Sequence, residues 1–209
     1  MKNKGDDIMN FRFKDGARTI SRNEIASGRH LLLEKLEFLN DDGKLLEWEA
    51  AQRVGGRQAV SITALKSPCG NEPWKIVLVR EYRAPVGRYC IGNPAGIIDE
   101  NETPDEAAIR ELKEETGYVG RVVFSGYATG SSEGLTGELV TPVVAVIDDC
   151  DENRGAAQDL DGAECIEVLE VPVSRLEQFL YDRHANGDCI SGRLMHTVIG
   201  LKLNSLPLE

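Results

Sequence analysis

The sequence predicts an α/β or α+β sandwich with mixed strand directions. Three observations lead there. Short apolar runs bounded by Gly, Pro and Asp recur along the chain and read as strands. One segment, 104–116, carries a full set of helix start and stop signals. The elements run strands, helix, strands, helices, an order that suits helices layered on a sheet.

In chain order, residues 1 to 20 are polar and are expected to be loosely ordered at the start. "HLLLEKLEFLN", "DDGK" and "LLEWEAAQRV" read as strand, turn, strand. The Gly55-Gly56 pair ends that unit, so residues 1–57 are expected to form a small N-terminal β-domain, with 58–209 as the main domain. "AVSITAL" and "WKIVLVREYR" read as further strands separated by the loop "KSPCGNEP". The helix follows. Thr103 is placed to cap its first turn, and Glu106, three residues on, completes a reciprocal capping box. Pro104 suits the first helical position. Asp105 and Glu106 favour the positive end of the helix dipole. Ala108, Ile109 and Leu112 form an apolar stripe, and Gly117 sits where a left-handed cap is common. Beyond it, "RVVFSGYATG" and "ELVTPVVAVI" read as strands around the loop "SSEGLTG". "DENRGAAQDLDGAE" is a long acidic loop, "CIEVLEVP" a strand, and "VSRLEQFLYDR" and "SGRLMHTVIGLKLN" are helices by their apolar spacing.

Composition narrows the function. Apolar residues are 41% and charged residues 28% of a 209-residue chain, as in a soluble globular protein. The formal net charge is −11, which disfavours nucleic acid polymers and anionic membranes. A nucleotide can still bind where arginines or metal ions cancel the charge. No apolar run reaches the length of a membrane span, and "MKNKGDDIMNFRFKDG" lacks the apolar core of a signal peptide. The five cysteines are an odd number, widely spaced and without a CxxC, so they read as reduced residues of a cytoplasmic protein. His184 and His196 lack metal spacing. The glycines at 126, 130, 134 and 137 are not followed by GK[ST], so they do not make a P-loop.

The chemistry concentrates in "GIIDENETPDEAAIRELKEETGY", residues 96–118. Glu111, Glu114 and Glu115 share one helix face by their spacing. A solvated acidic helix is one explanation. A divalent cation is the other: hard carboxylate oxygens suit Mg2+ or Mn2+, and the cation removes the repulsion between them. Arg110, four residues before Glu114, is placed to orient a carboxylate, and Gly96 allows close backbone approach.

The spacing decides between these readings. Gly96, Glu102 and the run Arg110-Glu111-Leu112-x-Glu114-Glu115-x-Gly117 resemble the Nudix box, the signature of the Nudix hydrolases. Tyr118 departs from it, since the family usually has an aliphatic residue there. The resemblance implies a Nudix α/β/α sandwich around a mixed sheet and metal-dependent hydrolysis of a nucleoside diphosphate linked to another group. It covers most of residues 20–203, most strongly 76–120, and "REYRAPVGRYCIGNPAGIIDENETPDEAAIRELKEETGYVG" looks like the ADP-ribose/ADP-sugar pyrophosphatase branch.

That branch implies a homodimer in which a small N-terminal β-domain helps bind the nucleotide. It implies metal ligation by the Ala95 carbonyl, Glu111, Glu115 and Glu164. Glu164, with Glu114 and Arg110, is the expected catalytic set. Trp48 and His30 match positions that stack on adenine. Arg53 and Arg83 match arginines that contact diphosphate or sugar phosphate. Ile97, Ser132 and Leu135 complete the expected substrate contacts, the last two in a loop that closes on the substrate. Two departures bear on substrate choice: Glu133 stands where the branch commonly has Pro, and Gly92 where it often has Glu. A GDP- or UDP-sugar hydrolase and a non-catalytic ADP-ribose-binding domain are the alternatives. The retained carboxylates favour an enzyme.

Overall fold

The computed structural model describes residues 16–68, 70–148, 153, 155, 157–160 and 165–203. Its backbone contacts divide into two units, Met1–Gly56 with Ser131–Glu138, and Arg57–Gly130 with Leu139–Glu209. The segment 131–138, expected in the main domain, thus groups with the first unit.

In the first unit, β1 (Arg18–Ser27), β2 (Leu31–Leu39) and β3 (Leu45–Arg53) form an antiparallel sheet in that order. The β2–β3 turn is built by Asn40, whose Oδ1 accepts from the amides of Asp42 and Lys44 at 3.1 and 2.8 Å. Gly43 takes a φ of 75° there, a left-handed value that favours glycine. Strand β1 falls partly in the stretch expected to be loosely ordered. Its side chains are almost all exposed, so backbone pairing with β2 carries it, with register shifts between Thr19 and Ser21 and between Glu24 and Ala26. Segment 131–138 joins β3 through the Ala51 amide, which donates to the Leu135 carbonyl at 2.9 Å.

The second unit is a nine-stranded mixed sheet. Its main path is β12 (Cys189–Ile190), β6 (Arg88–Gly92), β5 (Lys75–Arg83), β4 (Ala59–Lys66), β10 (Leu139–Ile147), β8 (Arg121–Ser125). Strand β7 (Ala95–Ile97) pairs with β4, β9 (Thr129–Gly130) with β10, and β11 (Glu167–Pro172) with β5. The β4–β10 and β6–β12 pairs are parallel and the others antiparallel. The segment expected as one strand at 121–130 is two, β8 and β9, both paired with β10, and Gly126 between them lies against Pro142.

Helices cover both faces. Ala107, Ala108 and Leu112 of α1 (Pro104–Thr116) pack with Val60, Ile62, Ala64, Val77, Val143, Ala145 and Ile147. Leu176 and Leu180 of α2 (Leu176–Ala185), with Leu194 and Val198 of α3 (Gly192–Leu203), pack with Ile76, Leu78, Ile91 and Val171. Strand β5 alternates between these cores, Ile76 and Leu78 to one and Val77 to the other, which explains its unbroken apolar run. Each fully buried Leu, Ile or Val contributes about 1.5–3 kcal/mol. This is the α/β/α sandwich that the Nudix resemblance implied, with a separate three-stranded sheet before it in the chain. Among the described residues, no helix is long and apolar enough to cross a membrane.

Candidate active site

The site begins with the start of α1. Thr103 Oγ1 accepts from the Glu106 amide at 3.3 Å, and Glu106 accepts from the Thr103 amide at 2.9 Å. Pro104 occupies the first turn. At the other end Gly117, at φ 77°, donates to the Lys113 carbonyl at 2.7 Å. Both ends being fixed, the rotation of the glutamates about the helix axis is fixed as well.

Arg110 organises the carboxylates. Its Nε and Nη2 donate to the two oxygens of Glu102, each at 2.9 Å. Nη1 donates to Glu111 Oε1 at 2.8 Å and to Glu114 Oε2 at 2.9 Å. Nη2 also reaches the Ile97 carbonyl at 2.9 Å, tying the helix to β7. Three carboxylates therefore share one guanidinium. The hydrogen bonds from Arg110 hold the Glu102 carboxyl below the usual glutamate range, and Glu102 in turn raises Arg110 further above its ordinary value.

Glu115 faces the same backbone segment. Glu115 is buried, 7% exposed, and its Oε2 accepts from the Ala95 amide at 3.1 Å. The neighbouring Gly96 explains its own identity: an added Cβ would lie 1.9 Å from Glu111 Cδ. Glycine here makes room for a carboxylate to lie flat against the chain. Glu111, Glu115 and the backbone of Ala95 and Gly96 thus converge.

These residues fit a divalent cation. Their donors are hard oxygens, their acids outnumber the arginine between them, and Gly96 leaves the space that a side chain would fill. Among the described residues, no group of three or more acidic, histidine or cysteine side chains is placed to hold a metal ion by itself. The Ala95 carbonyl, water and substrate oxygens would complete one.

A neighbouring segment was not foreseen from the sequence. Residues 157–160 dock on the end of α1. Gln158 Nε2 donates to the carbonyls of Glu115 at 2.6 Å and Ile166 at 3.0 Å. The Asp159 amide donates to the Glu114 carbonyl at 3.0 Å. Gly117 permits this: an added Cβ would sit 2.7 Å from the Ala157 backbone. A glutamine in an acidic loop gives no sequence signal for that role. Tyr118, the departure from the box, packs on the α1-side core while its hydroxyl donates to Glu170. Lys66 Nζ, 3.0 Å from that hydroxyl, lies 4.5 Å from the ring centroid and also bonds Glu170 at 2.6 Å. The phenol thereby links β4 and β11, as an aliphatic side chain would not.

The other expected residues fall in two places. Arg83, at the end of β5 in the second unit, is exposed and paired with Glu81. His30, Trp48, Arg53, Ser132 and Leu135 are all in the first unit. There Trp48 is half exposed and donates through Nε1 to the Gly134 carbonyl at 3.2 Å. Arg53 Nε pairs with Glu138 at 2.6 Å. The Leu135 amide donates to the Ser132 carbonyl at 2.9 Å, and the exposed His30 accepts at its carbonyl from the Val54 amide at 3.0 Å. Glu164 lies outside the described residues.

A sandwich carrying these acids at the end of its first long helix defines a class that comparison with known proteins identifies. The NUDIX domain model matches residues 57–189, and the chain belongs to the Nudix family. Members of that family generally need divalent metals. Among its relatives, an ADP-sugar pyrophosphatase of Mus musculus is 35% identical over 176 residues, covering 78% of this chain and 79% of its own. An ADP-ribose pyrophosphatase of Saccharomyces cerevisiae is 30% identical over 174 residues, covering 81% of this chain and 75% of its own. A crystal structure of ADP compounds hydrolase matches with a TM-score of 0.58 at 21% identity, over 79% of this chain and 83% of that one, a likeness of fold.

Proposed function

We propose that this protein hydrolyses the diphosphate of ADP-ribose or related ADP-sugars to AMP and a sugar phosphate, with Mg2+ or Mn2+. The observation that carries the reading is the convergence of Glu111 and Glu115 on the Ala95–Gly96 backbone, with Arg110 orienting Glu111 and Glu114. The names of the mouse and yeast relatives support the substrate class.

In this reading the Ala95 carbonyl, Glu111, Glu115 and Glu164 hold the metal. When bound, the cation neutralises the diphosphate and acidifies a coordinated water. Water attacks one phosphorus, and the bond from that phosphorus to the bridging oxygen breaks. Glu164, with Glu114, takes the proton from the water in this proposal. Arg110 stays with its carboxylates and keeps them aimed. Trp48 and His30 stack on the adenine, and Arg53 and Arg83 bind phosphate oxygens. Ile97, Ser132 and Leu135 line the substrate.

The working form in this proposal is a homodimer built through the three-stranded sheets. Its support is the exposed apolar set Ile20, Ile25, Leu31, Leu33 and Leu45 on that sheet, which a partner copy would cover.

A screen of nucleoside diphosphate sugars with Mg2+, reading the product nucleotide, tests the function. AMP from ADP-sugars is the expected main product. GMP or UMP in excess would move the substrate to another nucleotide, and no turnover of any diphosphate would reject the enzyme.

A further inference from the structure

The sheet edge at β6 and β12 carries a feature that the hydrolytic reading does not use. Cys90 and Cys189 are direct partners in the parallel β6–β12 pairing, beside the Ile91–Ile190 pair. Both thiols are free and half-buried. In-register residues of neighbouring strands point to the same side of a sheet, so the Cys90 and Cys189 side chains lie next to each other. Neighbouring strands lie about 4.8 Å apart, inside the Cα separation that a disulfide spans. Strand β12 is two residues long and ends the sheet path, so a small adjustment to bring the sulfurs together is cheap.

We propose that Cys90 and Cys189 form a redox-modification site: a dithiol that a low-molecular-weight disulfide converts to an intramolecular disulfide. Cys189 is the entry point. It lines a groove of about 460 Å³ with Tyr181 and His184 of α2, Met195 and Val198 of α3, and Arg88, wide enough for a small disulfide. The Cys189 thiolate attacks one sulfur of the oxidant, its S–S bond breaks, and one thiol leaves with the proton that Cys189 gave up. Cys90 then loses its proton and attacks the Cys189 sulfur. The mixed disulfide breaks, the second small thiol leaves, and the Cys90–Cys189 bond forms. The protein loses two electrons and two protons, and the oxidant becomes two thiols.

Burial and the adjacent Cys189 push the Cys90 thiol up from its ordinary value. Such a thiol is a slow nucleophile towards oxidants in bulk water. It is suited to the second step, where its target is held beside it.

The bond would tie the segment leading into α3 to β6, the strand that runs through Gly92 towards Ala95. It closes a loop of about 100 residues, and loops of that size gain most from cross-linking in the chain-entropy account. The expected readout is a rise in Tm of about 5–10 °C.

The test treats the full chain with oxidised glutathione and maps peptides without reduction. The expected product is a Cys90–Cys189 cross-linked peptide, with a higher Tm that dithiothreitol returns to the starting value. Cys90→Ser should leave glutathione on Cys189 with no cross-link and no rise in Tm. Glutathione retained on either cysteine of the unmutated protein, a cross-link to another cysteine, or both thiols intact after treatment would each overturn the proposal. The peptide map of the unmutated protein decides even if the serine variant does not fold.

Discussion

Gly96→Ala perturbs the site through a side-chain end rather than through the backbone. The added methyl would stand 1.9 Å from Glu111 Cδ and 2.0 and 2.3 Å from its two oxygens. Ordinary van der Waals contact between carbons needs about 3.5–4 Å. The carboxylate must therefore move by more than about 1.5 Å. It can do so, because it is the far end of a flexible side chain rather than backbone. Moving it breaks the 2.8 Å Arg110–Glu111 bond. Arg110 keeps Glu102, Glu114 and the Ile97 carbonyl. The stability loss should stay near 1 kcal/mol, since the lost pair is only partly buried. For a domain of this size that is a fall in Tm of about 2–4 °C. Catalysis should suffer far more, because a displacement of about 1 Å at a reacting centre can cost about 100-fold. The assay is kcat on ADP-ribose with Mg2+, beside a thermal melt. A kcat within about twofold of the unmutated protein, with the melt preserved, would refute the placement of Glu111 in the site.

Three further outcomes are expected, two from the geometry of α1 and one from the role proposed for Glu164. Gly117→Ala meets both a φ of 77° and the Ala157 backbone at 2.7 Å, neither of which yields cheaply; urea unfolding should show a loss of about 2 kcal/mol or more. Glu102 has a lowered folded-state pKa because of Arg110, so its contribution to stability is full above the ordinary glutamate value and disappears as pH falls through the lowered one. Glu102→Gln should accordingly be less stable than the unmutated protein at neutral pH, and the gap should shrink on acidification below about pH 4.3, as urea midpoints across that range will show. Glu164→Gln should lower kcat and kcat/KM together by tens- to thousands-fold with little change in KM in steady-state kinetics.

What the sequence disclosed depends on how local the determining chemistry is. Helix α1 was readable to its ends because its cap, first-turn proline and left-handed glycine are all neighbours in the chain. The long strands announced themselves by apolar runs. Strands β7, β9 and β12 did not, since two or three residues have no period to read. Strand β1 was missed because its residues bury almost nothing and are held by backbone pairing and by polar side-chain bonds such as Ser21–Glu37 and Arg22–Glu34. The grouping of 131–138 with the first unit rests on bonds from Trp48, Ala51 and Arg53, over 80 residues away, which no local pattern encodes. At the site, the spacing of Arg110, Glu111, Glu114 and Glu115 foretold one shared face. It did not foretell that Arg110 would hold Glu102 as well, or that Gln158 would fasten a distant loop to the helix end.

In the proposed function, the acids around Arg110 hold a divalent cation for cleavage of an ADP-linked diphosphate. The most direct test is product analysis of ADP-ribose incubated with chelator-treated protein, before and after Mg2+ is restored. AMP and ribose 5-phosphate should form only with the metal, and Glu115→Gln should lower the restored rate by about 100-fold. AMP released at full rate by the metal-free protein, or an unchanged rate in Glu115→Gln, would contradict the claim.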